Sequence, residues 1–243
     1  MIISSMQNAK VKELKKLMAD KSLVFFDNPK LLEEAHKAGF QILYILKRED
    51  CTHKTDYGGE VITLSKNVFK SFSTTLNSQG LIGVVKFNFK TIEKPKGNYL
   101  VLDCLQDPGN LGTLIRSALG ANFLDIYLLD CVKASSDKVI RSSMGAIFKT
   151  RIYPCTKEEF IKQFKTWNLP LIACDMDGDN LYNFAPQCPV GIVIGNEGNG
   201  VSKEMFNLAT KTISIPMQND LESLNAGVAG SIVMFQIASK LET

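Results

Sequence analysis

The sequence predicts an α/β protein: a mostly parallel sheet wrapped by helices, preceded by a small α/β unit. Three observations predict it. After Gly97, apolar strand-like runs alternate with amphipathic helical segments, the pattern of a parallel sheet covered on both faces. The run Lys94-Pro95-Lys96-Gly97 reads as a linker that divides residues 1–94 from residues 97–243. The apolar Tyr99–Leu102 is soon followed by Asp107-Pro108-Gly109-Asn110-Leu111-Gly112. There Pro presets φ, Gly tolerates positive φ, Asn110 is placed to cap a helix, and Leu111, Leu114, Ile115 and Ala118 follow at helical spacing.

The elements follow in order. Asn8 to Met18 reads as a basic amphipathic helix, Leu23–Phe26 as a strand, Lys30–Ala38 as a helix and Gln41–Leu46 as a strand. Val61–Leu64 is a strand, Lys66–Phe72 a helix and Leu81–Phe87 the last strand of the first unit. In the second unit, strands are expected at 99–104, 125–130, 170–174, 190–194 and 212–216. Helices are expected near 111–120, 136–143, 157–166, 202–208 and 226–240.

Composition excludes several classes. Apolar residues make up 45% and charged residues 22%, the balance of a globular chain with a full core. No apolar run is long enough to span a membrane, and Lys10, Lys12, Lys15 and Lys16 interrupt any signal-peptide core. The six cysteines are scattered with no C-x-x-C pair, which suits buried thiols in a reducing cytoplasm. With only His36 and His53 as histidines, no metal site is expected. Charge is uneven: residues 1–96 hold 16 Lys+Arg and 10 Asp+Glu, or +6, whereas residues 97–243 hold 12 and 15, or −3. A basic front half suits a polyanionic partner.

Three loops carry the chemistry. The first runs from Asn110 to Arg116 at a strand end, where open α/β sheets bind ligands. Arg116 lies off the apolar helix face; alone it reads more often as a solvated side chain. The second, Gly195-Asn196-Glu197-Gly198-Asn199-Gly200, follows the strand Val190–Ile194. Its glycines permit close backbone approach, while Glu197 would repel a pyrophosphate, so an uncharged or cationic ligand fits better. The third is Ile215-Pro216-Met217 followed by Leu221-Glu222-Ser223-Leu224-Asn225, then a helix opening on small residues, Ala226-Gly227-Val228-Ala229-Gly230-Ser231. Alone it also reads as a helix cap with close packing.

Together, in this order, the loops resemble the SpoU/TrmH family of RNA ribose 2′-O-methyltransferases of the SPOUT superfamily. The first family motif has Asn, Gly and Arg spaced as Asn110, Gly112 and Arg116; the second has the Gly-Asn-Glu-Gly core of 195–198. The third has Ile-Pro-Met then Ser-Leu-Asn, as at 215–217 and 223–225. Arg141-Ser142-Ser143-Met144-Gly145-Ala146 resembles a run in the larger members. Phe26-Asp27-Asn28-Pro29-Lys30-Leu31-Leu32-Glu33-Glu34-Ala35 and Ser78-Gln79-Gly80 resemble their RNA-substrate-binding domain. Asp27-Asn28 stand where that family usually has Glu-Gly.

The resemblance implies a catalytic domain at 97–243 with a C-terminal trefoil knot, and an RNA-substrate-binding domain with a basic helical arm at 1–94. It implies S-adenosylmethionine as methyl donor, held by Gly195, Asn196, Ile215, Met217 and Leu224. It also implies homodimerisation through the catalytic domain, and RNA, above all ribosomal RNA, as partner. Arg116 would act on the ribose 2′-hydroxyl, with Asn110, Glu197, Ser223 and Asn225 positioning it and the ribose; Glu197 is available to pair with an arginine. Because guanidinium stays protonated, Arg116 is better read as a stabiliser of developing alkoxide or a phosphate clamp than as a base. Two alternatives stay open: a transfer-RNA substrate, and a catalytically silent RNA-binding or assembly factor.

Overall fold

The computed structural model describes residues 1–20, 22–219 and 223–241. The chain divides into two compact units, Met1–Asn88 with Ser135–Arg141, and Phe89–Ala134 with Ser142–Thr243.

In the first unit, β1 (Ile2–Ile3) precedes α1 (Ala9–Leu17), whose Val11 and Leu14 are buried under a lysine-rich outer face. Then come β2 (Leu23–Asp27), α2 (Pro29–Lys37), β3 (Ile42–Arg48), β4 (Glu60–Leu64), α3 (Lys66–Lys70) and β5 (Leu81–Lys86). The sheet order is β1-β4-β3-β5-β2, with β5 antiparallel to β2 and β3 and the other pairs parallel. Val11, Leu14, Phe25, Leu46, Phe69 and Phe72 belong to one core cluster. The Asp27-Asn28 departure has a local cause. Asn28 Oδ1 caps α2 by accepting from the backbone N of Lys30 and Leu31, with Pro29 in the first helical turn. Asp27 is a buried carboxylate taking hydroxyl donors from Ser73, Thr75 and Ser78.

The second unit contains β6 (Tyr99–Asp103), α4 (Pro108–Gly120) and β7 (Asp125–Leu129). After α5 (Asp137–Ser143), most of which belongs to the first unit, come β8 (Arg151–Cys155), α6 (Lys157–Trp167) and β9 (Leu171–Asn180). The chain closes with β10 (Gly191–Ile194), α7 (Lys203–Phe206), β11 (Lys211–Ser214) and α8 (Ala226–Leu241). All pairs in the sheet β11-β9-β10-β6-β7-β8 are parallel. From β6 the chain moves outward through β7 and β8, then returns to the other side of β6. The order therefore reverses between β6 and β10, where a crevice opens at the carboxyl ends of the strands. One face carries Tyr99, Tyr127, Tyr153, Phe160, Phe164 and Trp167 in a single aromatic core. Among the described residues, no helix is long and apolar enough to cross a membrane.

The structure changes several expectations. Strand β8 is absent from the sequence pattern because Pro154 interrupts Arg-Ile-Tyr-Pro-Cys; as an edge strand it tolerates the missing N–H. Residues just before and within the Lys94–Gly97 run pack with the second unit: Glu93 O accepts from Tyr127 Oη at 2.7 Å and Lys96 N donates to Asp125 Oδ2 at 2.9 Å. All six cysteines are free thiols, but only Cys51 is fully buried; Cys104, Cys131, Cys155 and Cys174 are partly buried and Cys188 is exposed. Burial still pushes the Cys131 and Cys155 thiols up to about 12.

Candidate active site

The crevice brings the first two loops together. Ile194 of β10 pairs with Leu102 of β6, so the chain segments leaving these strands start side by side. Loop 196–200 folds into a closed turn: Asn196 and Gly200 exchange backbone hydrogen bonds at 2.9 Å, and Asn196 Oδ1 accepts from Gly198 N and Asn199 N. Gly195 is required by contact. A Cβ there would sit 2.0 Å from the Gly200 carbonyl carbon. Asn196 Nδ2 donates to Cys104 O at 2.8 Å, which fastens the turn to the end of β6. Just inside, the buried Asp103 accepts from Ser202 N at 2.8 Å and has Oδ1 3.2 Å from Lys157 Nζ.

Glu197 is the centre of a second fastening. Its Oε1 accepts from Asn110 Nδ2 at 3.0 Å and Asp107 N at 3.1 Å, and its Oε2 from Gln106 N at 3.3 Å. Partial burial raises the carboxyl pKa, but the Asn110 donor and the backbone N–H groups outweigh it and hold Glu197 below the usual carboxylate range. Two expectations are corrected here. The partners of Glu197 are amides, not an arginine. The cap of α4 is Asp107, whose Oδ1 accepts from Asn110 N at 2.8 Å. Pro108, which has no N–H to satisfy, takes the first helical position. Asn110 therefore lies inside the first turn, with its amide turned to Glu197.

The third loop joins through α8. Asn225 Oδ1 accepts from Gly227 N at 3.0 Å and Val228 N at 3.3 Å, so Asn225 serves as a helix cap. A Cβ on Gly227 would lie 3.1 Å from Asn225 Oδ1 and 3.3 Å from Asn110 Oδ1; the bare glycine lets these two amides flank it. Leu221 and Glu222 lie outside the described residues.

A cavity of about 410 Å3 opens at this end of the sheet. Its walls include all five residues expected to hold a cofactor, Gly195, Asn196, Ile215, Met217 and Leu224, with Glu197 and Ser223 beside them. Asn110 and Asn225 do not line it; Asn110 connects through Glu197. Arg116 does not line it either. It is exposed, makes no hydrogen bond or ion pair with the described residues, and lies six residues beyond Asn110, about 9 Å along α4. Sequence reasoning missed Cys174, Asp175 and Met176, which line the cavity from β9. Their signal is position: they follow the stretch of β9 paired with β10, which ends at Ala173, on the side toward which the parallel strands run.

Known proteins share this fold. Residues 97–235 match the model of the SpoU rRNA Methylase family. The chain is 27% identical over 244 aligned positions to the 23S rRNA (guanosine(2553)-2'-O)-methyltransferase RlmP of Bacillus subtilis, covering 97% of this chain and 98% of that protein. Among solved structures, an RNA 2'-O ribose methyltransferase superimposes with a TM-score of 0.84 at 26% identity over 100% of both chains. An AdoMet-bound rRNA methyltransferase from Sinorhizobium meliloti shares the fold with a TM-score of 0.87 at 24% identity, over 99% of this chain and 98% of its own. The family match covers more than half of the chain and contains all three loops. The chain belongs to the SpoU rRNA methylase family.

Proposed function

We propose that this protein transfers a methyl group from S-adenosylmethionine to a ribose 2′-hydroxyl of ribosomal RNA, in the cytoplasm. One observation carries the reading: a single cavity has both the glycine turn 195–200 and the 215–217 strand end in its walls, and Glu197 ties that turn to Asn110. The near full-length similarity to RlmP favours ribosomal over transfer RNA.

The cavity fits S-adenosylmethionine chemically. Its volume lies in the range of small-molecule sites, and Ile194, Ile213, Ile215, Leu224 and Val233 give it apolar walls. Gly195 and Gly200 supply backbone that a flat base can approach. Its described walls carry no Lys or Arg to repel a sulfonium. When bound, S-adenosylmethionine supplies an electrophilic methyl group. The residues of the chain do the rest. Gly195, Ile215 and Leu224 hold the adenosyl moiety through main-chain groups, and Asn196 and Met217 line its pocket. Aligning oxygen, methyl and sulfur supplies much of the rate gain. Arg116 offers its cation to the developing alkoxide or to the neighbouring phosphate, while Asn110, Glu197, Ser223 and Asn225 order its surroundings. An Arg116 that stands clear of its own cavity suits a site completed by RNA and by a second copy of the chain. A homodimer through residues 97–243, a C-terminal trefoil knot there, and RNA capture by residues 1–94 complete the proposal.

The test is direct. Purified protein is incubated with methyl-labelled S-adenosylmethionine and either ribosomal or transfer RNA, and the products are digested to nucleosides. Label on ribose of ribosomal RNA is the expected result. Label confined to transfer RNA would overturn the substrate; no label on either RNA, with the cofactor bound, would leave a silent RNA-binding factor.

A further inference from the structure

We propose that the cavity between α3 and loop 73–78 of the first unit seats the sugar–phosphate backbone of an RNA strand. This rests on the RNA-directed reading above, and adds where in that unit the RNA is held. The cavity measures about 740 Å3 and its walls carry three cations, Arg48, Lys66 and Lys70, against one carboxylate, Asp50.

The cations are presented in an ordered way. Arg48 Nε donates to Asp50 Oδ1 at 2.5 Å, its guanidinium lies 5.8 Å from the Phe69 ring centre, and Nη1 donates to Ser78 O at 3.3 Å. Lys66 Nζ stands 3.4 Å from the same Asp50, with two-thirds of its side chain exposed. Lys70 is exposed and has no polar partner among the described residues.

The loop is ordered from behind. Asp27, buried under it, accepts hydrogen bonds from the hydroxyls of Ser73, Thr75 and Ser78. That leaves Asn77 and a fully exposed Leu76 facing outward. An exposed apolar residue beside cations is costly in water and useful against a base. Amide, hydroxyl and ammonium groups are the usual partners of phosphate and ribose. A pre-ordered loop also loses less entropy on binding.

The experiment uses the full-length chain, a labelled 23S rRNA transcript and equilibrium binding across a salt series. The variants are Lys66→Ala/Lys70→Ala, Leu76→Ala, and the charge-matched control Lys30→Ala/Lys37→Ala on α2. The lysine pair is expected to weaken binding at least tenfold at low salt. It should also flatten the slope of log affinity against log salt by about 1.4 to 1.8, roughly 0.7–0.9 for each phosphate no longer neutralised. Leu76→Ala is expected to weaken binding several-fold with the slope unchanged. S-adenosylmethionine affinity, measured calorimetrically, should be unchanged in all of them. If the α2 pair matches the cavity pair, or the cavity pair binds like wild type, this site is wrong. Wild-type protein that fails to bind the transcript at all would instead overturn the RNA-directed reading.

Discussion

The carboxylate of Glu197 accepts the Asn110 side-chain amide at 3.0 Å across 87 residues of sequence, and so joins the first and second motifs in one hydrogen-bonded unit. This bond, with those from the backbone N–H groups of residues 106 and 107, makes Glu197 a positioning group for the β6–α4 turn. Its acidity serves acceptance rather than proton transfer.

Replacing Glu197 by Gln should therefore damage the site more than the fold. A glutamine keeps one acceptor oxygen but turns an NH2 donor toward the donors on the other side, either Gln106 N or the Asp107 N and Asn110 Nδ2 pair. A loss of about 1 kcal/mol in urea unfolding is expected. Methyl transfer should fall at least tenfold. Asn110→Ala should act on the same unit, and the double variant should lose less than the sum of the two single losses, because the two residues share one bond. Additive losses would show that the two residues act separately.

Arg116→Ala should leave unfolding free energy within about 0.5 kcal/mol, as an exposed side chain without partners among the described residues predicts. It should leave cofactor affinity unchanged and abolish methyl transfer. Arg116→Lys keeps the charge but loses the planar fork, so partial activity is expected if the role is electrostatic. Wild-type turnover by the alanine variant would remove Arg116 from the mechanism.

Gly195→Ala places a methyl group against the Gly200 backbone, which has no flexible end to move aside. The turn must shift, at a cost of about 1–3 kcal/mol. Cofactor affinity, read by calorimetry, should drop at least tenfold, because the displaced turn forms one wall of the cavity. Retained affinity would mean that the pocket lies elsewhere.

Asp125 predicts an acid limb in stability. It is fully buried at the end of β7, and Arg151 contacts its two oxygens at 2.6 and 2.7 Å. Burial alone would raise its pKa, but the Arg151 pair, Lys96 N and Tyr153 lower it on balance. A carboxyl depressed in the folded state contributes stability above its unfolded pKa of about 3.9 and loses it as pH falls through the folded value. Asp125→Asn should cost about 3 kcal/mol at pH 7, since it strands a partly buried guanidinium. The gap from wild type should narrow below about pH 4. A constant gap down to pH 2 would rule out this titration.

The alternation of strands and helices was legible because it rests on local spacing, whereas the cofactor-pocket residues came from the family resemblance of the loops. Gly195, Asn196, Ile215, Met217 and Leu224, implied by that resemblance, all fall in the walls of one cavity. Competition among local partners was not legible. Asp107 and Asn110 both suit a helix cap, and only the position of Glu197 across the crevice decides that Asp107 caps while Asn110 reaches out. Glu197 suggested an arginine partner because a lone acid suggests a cation, yet exposed backbone N–H groups satisfied it first. The placement of Arg116 depends on helix phase over several turns, and Asp175 on which strand ends share a crevice. Asp27-Asn28, a departure from the family pattern, is a cap plus a buried loop anchor, and three hydroxyls more than 40 residues away explain it.

The strand order has a temporal consequence. Cys104 and Asn196, bonded at 2.8 Å, are 92 residues apart, and β6 cannot pair with β10 until that stretch has been made. At about 5–20 residues per second, a nascent chain carries β6 for roughly 5–18 s with that edge unpartnered. Closing so long a loop is also slow compared with local pairing. The grouping of Asn225, Gly227 and Asn110 thus forms only once α8 has been made. A chain interrupted before that point would have the first unit and no assembled cavity. On the RNA capture proposed for the first unit, such a fragment would compete with the whole chain for its substrate.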